Sequence, residues 1–361
     1  MRDEVSTDHA GPPPTLHRHT FIWIALMAAA LIAFLLELVL GATLIPVRTL
    51  VAIVMGRATD AVGERQVLLL FRLPRAMPAA LSGAALGVSG LSMQTLFRNP
   101  LADPFVLGIS SGASLGVAVV VLVVGGSGLG LLLEHSSLLG VVSINAAAIL
   151  GALAVLGAVL WIARSVESSL TLLIIGLMFG YITGSLVSIL MQFSTEHQTQ
   201  GYINWMFGSF ASVTWRQMSV FAPTIGCGLL LACILSKALN AFLLGEGYAR
   251  SLGVNVRQSR FRIILCASIL AGAVTAYCGP IGFLGIAVPH LCRMLFRTSD
   301  HRQLLPAVIL LGAALALAAD LISMAPGSGV ALPLNAITAL IGAPVVVGMI
   351  LSRSHVMEAG A

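Results

Sequence analysis

Charged residues are scarce in this sequence of 361 residues. Asp, Glu, Lys and Arg together make up 9% of the chain, whereas a typical soluble domain carries about 25%. Hydrophobic residues account for 58% of the chain, and the mean hydropathy is +1.00. So little polar surface cannot cover a globule of this size. The composition therefore predicts a protein that is covered largely by membrane lipid.

Sequence motifs of enzymes are missing as well. The sequence contains no HExxH, no GxSxG and no cluster of paired carboxylates, so no catalytic set of those kinds can be assembled. Lys237 is the only lysine, and it follows Ser236, so the chain has no Gly-Lys-Ser/Thr phosphate loop. A membrane enzyme is the least favoured interpretation, and we expect any ATP to be hydrolysed by a partner chain.

The cysteines and basic residues do not suggest a metal site or a nucleic-acid site. None of the five cysteines belongs to a CxxC pair, and all lie in or at the ends of apolar segments, which is typical of buried, inert thiols. His290 stands alone and is interpreted as a helix-end histidine. The net charge of +5 comes from arginines in short loops rather than on one stripe, which argues against a nucleic-acid partner. We expect no cofactor or metal on this chain.

Ten apolar segments approach the length of about 20 residues that a membrane-spanning helix needs. They are 21–40, 77–97, 105–124, 139–163, 169–193, 216–236, 260–278, 281–296, 303–324 and 333–351. This pattern predicts an all-α fold, a polytopic membrane bundle of about ten transmembrane helices. We expect residues 1–19 to be a flexible cytoplasmic tail and residues 20–361 to form a single transmembrane domain.

The basic residues between these segments suggest an orientation, because Lys and Arg concentrate in cytoplasmic loops. With the N-terminus in the cytoplasm, thirteen of them lie inside and six lie outside. Both termini are therefore expected in the cytoplasm, with residues 237–259 inside, as two short helices, and residues 194–215 outside. The basic stretch 41–76 is an exception, since this pattern makes it an outer loop.

Two stretches interrupt the helical pattern, Asn99–Pro104 and Gly279–Gly285. Asp103 is well placed to cap the helix that follows the first interruption. Irregular backbone within a membrane must be buried in protein or line a wet cavity, which favours a transporter over an anchoring protein without a pathway. Glu37 and Asp320 lie toward the outer ends of their helices, whereas ion-coupled carriers usually keep carboxylates near the midplane. An ion-coupled secondary carrier is therefore a less favoured alternative.

Seven short motifs occur in an order that is typical of one family. They are Arg72-Leu-Pro-Arg75, Asn99-Pro-Leu-Ala-Asp-Pro104, Gly108-Ile-Ser-Ser-Gly-Ala113, Leu244-Gly-Glu-Gly-Tyr-Ala-Arg-Ser-Leu-Gly-Val254, Gly279-Pro-Ile-Gly-Phe-Leu-Gly285, Asp300-His-Arg302 with Leu304-Leu-Pro306, and Thr338-Ala-Leu-Ile-Gly-Ala-Pro344. Together they resemble the FecCD family, the permeases of ABC importers for iron–siderophore, haem and cobalamin. The likeness covers nearly the whole chain after residue 20.

The resemblance implies a type II importer permease in the cytoplasmic (inner) membrane, which works as a homodimer with the substrate path at its interface and lipid around it. Two cytoplasmic ABC ATPase subunits would attach below, and one extracytoplasmic substrate-binding protein would dock above. ATP hydrolysis by the partner subunits would drive alternating access. A ferric siderophore is the expected substrate, with haem or cobalamin as alternatives.

The resemblance also assigns a role to the cytoplasmic segment 237–259, which would press into the ATPase as coupling helices. The matching residues are Gly245, Glu246, Ala249, Arg250 and Gly253. A short polar helix pair with glycine turns can dock as a rigid knob and transmit movement of the ATPase. From the residues alone, an ordinary solvated loop is an equal alternative.

Arg72 and Arg75 resemble the outer arginines that pair with carboxylates of the binding protein, since a charge-assisted contact orients a partner and can be broken. Anchoring of the second span at the membrane interface is the alternative. The chain departs from the family pattern nearby, with Met324 where a third arginine is frequent, Ala331 where Glu is common and Asn335 where Gly is common. Other outer arginines, such as Arg57 or Arg65, are therefore candidates as well.

Ser168 and Ser169 fall where the family places a cytoplasmic gate. Small polar residues at this position would let two subunits close against each other. The alternative is that they cap the helix that begins there.

Overall fold

The computed structural model describes residues 14–41, 45–55, 62–124, 138–163, 165–166, 169–324 and 331–358, and these residues are predominantly helical. In chain order the α-helices are α1 (Pro14–Val39), α2 (Val47–Val54), α3 (Val62–Val67), α4 (Leu73–Leu96), α5 (Ile109–Ala118), α6 (Leu138–Ala163), α7 (Ser169–Gln192), α8 (Glu196–Met206), α9 (Trp215–Ile234), α10 (Ser236–Leu243), α11 (Glu246–Ser251), α12 (Val256–Cys278), α13 (Leu284–Phe296), α14 (His301–Ser323) and α15 (Leu334–Glu358). Short π-helical turns join α3 to α4 (Leu68–Arg72) and follow α5 (Val119–Val123).

The predicted all-α membrane bundle is confirmed. In the described part of the chain, seven helices are long and apolar enough to cross a membrane, and three shorter apolar helices accompany them. The short ones are Ile109–Val123, Leu284–Phe296 and Leu334–Gly348. Each of these ten helices corresponds to one of the ten apolar segments of the sequence.

Two predicted boundaries differ from the structure. The second long helix begins at Val62 rather than near residue 77, so the stretch 41–76 is largely helical rather than an outer loop. Apolar runs alone do not predict this early start, because Arg65, Arg72 and Arg75 interrupt the run. The first helix begins at Pro14, which is tolerated at a helix start, and the Arg18 guanidinium donates to Leu295 O (3.0 Å). The expected tail is therefore helical from residue 14, and the rest of it lies outside the described residues.

Helix α4 is the centre of the bundle, and its residues from Ser82 to Leu96 are all buried. It packs against α9, α12, α13 and α14. A Cβ on Gly83 would overlap the carbonyl of Gly312 in α14, and a Cβ on Gly90 would overlap Gly285 O in α13. The glycines therefore let backbones touch, which is how helices associate without a hydrophobic driving force.

Helices α5, α6 and α7 form a second tight group. A Cβ on Gly112 would meet the Gly151 carbonyl at 2.5 Å, and one on Gly116 would overlap Ala147 O. The interruption before α5 is organised by Asp103, whose Oδ1 accepts from the Phe105 amide at 2.9 Å. The cap predicted at Asp103 is confirmed.

The bundle has two polar ends. We call the end that carries α10, α11 and Asp300 the basal end, and the opposite end, with α2, α8 and Asp320, the apical end. Between them the outer faces of the helices expose large apolar side chains, including Phe21, Trp161 and Tyr181. These faces are suited to lipid or to another apolar surface rather than to water.

Candidate functional site

The basal segment is built as two short helices held by two glycine turns. Gly245, with φ +102°, separates α10 from α11, and Gly253, with φ +79°, ends α11. The amide of Gly253 donates to Arg250 O (3.0 Å) and that of Val254 donates to Ala249 O (3.0 Å), which is the Schellman arrangement of a helix end. Both glycines have backbone angles that other residues rarely adopt, so their identity fixes the path of the chain here.

Two of the predicted coupling residues face the protein rather than solvent. Ala249 is fully buried. Both carboxylate oxygens of Glu246 accept from Arg260 Nη2, at 2.6 and 2.7 Å, and Arg260 Nη1 donates to Val166 O (3.1 Å). Glu246 and Ala249 therefore attach α11 to α12, at the base of the bundle.

Large apolar side chains of the basal segment point outward. Leu244 is 62% exposed, Tyr248 50% and Leu252 58%, and Arg250 is also exposed. The Leu252 amide donates to Tyr248 O (3.1 Å), so these two side chains share one helical face. No atom lies within 4 Å of a Cβ placed on Gly247. We call Leu244, Tyr248, Arg250 and Leu252 the basal knob.

The knob residues Leu244, Tyr248 and Leu252 were not singled out from the sequence. Their spacing of four residues in a segment otherwise rich in small and polar residues was the available signal. The sole lysine, Lys237, is exposed on the neighbouring helix α10.

At the apical end, Arg75 joins three helices. Its Nε donates to Asp320 Oδ2 (2.7 Å) and its Nη2 donates to Oδ1 (2.8 Å) and approaches Ser323 Oγ (3.4 Å). The Nε also lies 3.7 Å from Glu37 Oε1. Because Glu37 lies on α1 and Asp320 on α14, this cluster ties α1 and α14 to α4.

Arg72 lies beside this cluster and is also turned inward. It is 8% exposed, and its Nη1 donates to Leu38 O at 2.6 Å. The side chain of Arg75 is 22% exposed. The two arginines thus have intramolecular partners, and their use in docking stays a prediction. Arg48, Arg65 and Arg216 are exposed at the same end, whereas Arg57 lies outside the described residues.

The structure shows the contacts made by two residues that depart from the family pattern, Met324 and Asn335. Met324 caps α14, and its amide donates to Asp320 O (3.0 Å). Asn335, at the start of α15, accepts from the Gly282 amide through Oδ1 (3.1 Å), while its own amide donates to Phe207 O (3.0 Å). Asn335 therefore holds the interrupted stretch 279–283 against the segment that follows α8. Ala331 is exposed in the stretch just before α15.

The predicted gate is only partly covered by the structure. Ser169 is the first residue of α7, and Ser168 lies outside the described residues. Their role stays a prediction.

Known proteins resemble this chain over most of its length. The permease YvrB of Bacillus subtilis, an uncharacterized ABC transporter protein, is 38% identical over 80% of this chain and 79% of its own length. The vitamin B12 import system permease BtuC of Vibrio cholerae is 39% identical over 81% and 84%. The hemin transport system permease HmuU of Yersinia pestis is 37% identical over 78% and 82%.

A solved structure shares the fold. It is described as an inward-facing conformation of an ABC transporter of the metal-chelate type, and it superposes with a TM-score of 0.79 and 29% sequence identity. The match covers 92% of this chain and 99% of that chain. The pattern of the FecCD transport family matches residues 29–353. The chain therefore belongs to the FecCD transport family and is a permease subunit of an ABC importer, which works with ATPase partners and a substrate-binding protein.

Proposed function

We propose that this chain carries a metal chelate across the cytoplasmic membrane by alternating access, as one half of a homodimer. Two ATPase subunits bind its basal end and one substrate-binding protein docks on its apical end. The observation that carries the proposal is the basal knob, an exposed apolar surface on a segment that turns at Gly245 and Gly253 and is anchored to α12 through Glu246.

The knob is suited to a protein partner. Three large apolar side chains beside an arginine leave apolar area in water, which is unfavourable unless a partner covers it. A short helix that lays an apolar face into a groove is a common mode of recognition. Since Glu246 and Ala249 fix α11 to the bundle, a push on the knob moves the helices rather than a loose loop.

The basal end is assigned to the cytoplasm on the distribution of charge. It carries most of the basic residues between the helices, among them Lys237, Arg250, Arg257 and Arg302, as the positive-inside rule requires. Both termini are then cytoplasmic, and the ATPase partners meet the knob on the side where ATP is available.

The homodimer is supported by the apolar face of α7. Leu177, Tyr181 and Ile189 are exposed there, and a Cβ on Gly184 would meet no atom within 4 Å. Small residues let a second helix approach closely. A second copy would cover part of this face, and lipid would cover the rest.

For the substrate, the transport roles of the relatives guide the choice. BtuC imports vitamin B12 and HmuU transports hemin, and both are similar to this chain at nearly 40% identity. We therefore place a metal-centred macrocycle, cobalamin or haem, ahead of the ferric siderophore that the family resemblance implies. The siderophore stays as an outcome of the test.

The test uses the complex that an affinity-tagged copy of this chain captures from its native membranes. The complex is reconstituted in liposomes with its binding protein, and uptake of cyanocobalamin, haemin and a ferric hydroxamate siderophore is measured with and without ATP. ATP-dependent uptake of one macrocycle is expected. Uptake of the siderophore alone contradicts the substrate class, and uptake by the chain alone that a protonophore abolishes indicates an ion-coupled carrier.

The knob is tested in the same preparation. Tyr248→Ser should reduce the amount of ATPase that co-purifies with the chain, because it removes apolar area from the contact. Trp161→Ser is the matched control, since Trp161 is an exposed aromatic residue near the basal end of α6, outside the knob. If both variants lose the same amount of ATPase, or if neither loses any, the knob is not the attachment site of the ATPase.

A further inference from the structure

A chain of hydrogen bonds leads from the basal segment into the core of the bundle. Asn240, on α10, donates through Nδ2 to Asp300 Oδ1 (2.6 Å). Its Oδ1 accepts from the backbone amide of His301 (2.9 Å) and lies 2.7 Å from His301 Nδ1. Since Nδ2 is used toward Asp300, the amide oxygen faces His301, and the imidazole donates to it through Nδ1.

The imidazole of His301 continues the chain to α4. Its Nε2 lies 2.8 Å from Thr95 Oγ1, which also lies 2.9 Å from Leu91 O. His301 is fully buried and Thr95 nearly so. Two ring nitrogens thus connect a side chain of α10 with a side chain of α4 through the first residue of α14.

Asp300 stabilises the same junction. It caps α14, where its Oδ1 accepts from the Arg302 amide at 2.9 Å. This bond and the one from Asn240 lower the pKa of the Asp300 carboxyl. Asp300 is therefore charged at neutral pH, as suits the N-terminal end of a helix.

Helices α4 and α14 form one unit with a polar contact at each end. In the middle, Gly83 meets Gly312 backbone to backbone, and Val308 fills the space beside Gly87. At the basal end Thr95 meets His301, and at the apical end Arg75 meets Asp320. Backbone contact leaves little room for the two helices to slide, so a displacement at one end reaches the other.

We propose that His301 is a positioning residue that links the basal segment to the α4–α14 pair, through Asn240 on one side and Thr95 on the other. This inference rests on the proposed function, because it assigns the route by which movement of the ATPases reaches the transport helices. Contacts between apolar side chains constrain direction only loosely, whereas buried hydrogen bonds fix both direction and distance. The link therefore matters for coupling more than for attachment of the ATPase.

Threonine substitutions separate these roles. Thr95→Val removes the hydroxyl that meets His301 and keeps the shape of the side chain. Thr275→Val is the matched control, because Thr275 is also fully buried and its hydroxyl donates to the carbonyl four residues earlier, Ala271 O (2.9 Å). Thr95→Ser restores the hydroxyl and should rescue the function.

The measurement is the number of chelate molecules imported per ATP hydrolysed, in liposomes that contain the full complex. The substrate is cyanocobalamin, or haemin if cobalamin is not transported. Thr95→Val should retain its ATPase subunits and their activity but lower this ratio about five-fold or more, within the usual range of coupling energies between sites. Thr275→Val and Thr95→Ser should stay near the wild type. Apparent melting temperatures of all variants are measured in parallel.

Three outcomes overturn the link. A ratio in Thr95→Val equal to that in Thr275→Val shows that the contact carries no coupling. Loss of expression or of bound ATPase in Thr95→Val alone shows that it serves folding or attachment instead. A wild-type chain that captures no ATPase contradicts the proposed function itself, and the role of the link falls with it.

Discussion

The guanidinium of Arg75 and the carboxylate of Asp320 form two parallel hydrogen bonds, 2.7 and 2.8 Å long, that fasten the apical ends of α4 and α14. Paired bonds of this kind combine charge with a fixed direction. Arg75 is thus first a structural residue. If it also meets a carboxylate of a docking protein, that contact must exchange with, or share, the internal one.

Substitution of Arg75 tests its structural part. Arg75→Ala leaves the buried carboxylate of Asp320 without the guanidinium that pairs with it, and removal of one partner of a buried pair typically costs about 3–5 kcal/mol. We expect a clear drop in the apparent melting temperature of the purified chain. The melting temperature of Arg75→Lys should lie between those of Arg75→Ala and the wild type. A lysine keeps the charge but lacks the planar guanidinium that makes the two parallel bonds. Arg65→Ala, at an exposed position of the neighbouring helix α3, is the control and should melt as the wild type does.

Gly253 and Gly247 offer a matched pair in the basal segment. Gly253→Ala places a Cβ on a backbone at φ +79° and should destabilise the turn by about 1–2 kcal/mol. Gly247 lies within α11 in open space, so Gly247→Ala should be neutral or slightly stabilising, by up to about 1 kcal/mol. Co-purified ATPase and melting temperature are measured for both. If the two variants have the same melting temperature and retain the same amount of ATPase, the turn does not require glycine at position 253.

Close helix packing is tested with Gly83 and Gly226. A Cβ on Gly83 would overlap the Gly312 carbonyl, whereas one on Gly226 in α9 would meet no atom within 4 Å. Gly83→Ala should therefore cost about 1–3 kcal/mol or more through forced separation of α4 and α14. Gly226→Ala should leave thermal stability unchanged or raise it. A Gly83→Ala chain as stable as the wild type would show that these helices can part without penalty.

Asp103 should make the stability of the chain depend on pH. Burial raises the pKa of its carboxyl from 3.8 to about 6, although the bond from the Phe105 amide opposes this. Between these values the folded chain holds a proton that the unfolded chain has lost. The contribution to stability is therefore largest below the unfolded pKa and falls as the pH rises toward 6, by roughly 3 kcal/mol at most.

Asp103→Asn keeps a good helix cap and removes this titration. The difference between melting temperatures at pH 5 and pH 7, about one unit on either side of the raised pKa, should then shrink. Asp103→Ala removes the titration as well but also the cap, which costs about 1 kcal/mol at both pH values. A pH dependence that survives in Asp103→Asn would assign it to another group.

The helices could be predicted from the sequence because an apolar run of about 20 residues has one stable form in lipid. The glycine turns of the basal segment could be predicted as well, because Gly245 and Gly253 mark turns in the sequence without reference to distant residues. The partners of Arg72 and Arg75 could not. Arg75 and Asp320 are 245 residues apart, and only the packing of α4 against α14 brings them together.

The same limit applies to the basal link. Asn240 and Thr95 look ordinary in the sequence, and His301 stands out only as part of the motif Asp300-His-Arg302. No local pattern relates an α10 amide to an α4 hydroxyl. Asn335 shows the opposite case, a departure from a family pattern that the sequence could identify but not explain. Its bond to the Gly282 amide becomes visible only when α15 is placed beside the interrupted stretch.

Lys237 is the one side-chain amine in the polypeptide, and it is exposed on α10, three residues before Asn240. In the purified chain, before its partners are added, Lys237 is therefore the one side chain that an amine-reactive dye can label, beside the terminal α-amine, and no engineered cysteine is needed. The dye then lies on α10, the helix between the basal knob and the buried imidazole of His301. Changes of its fluorescence during the nucleotide cycle give the time course of movement in the basal segment.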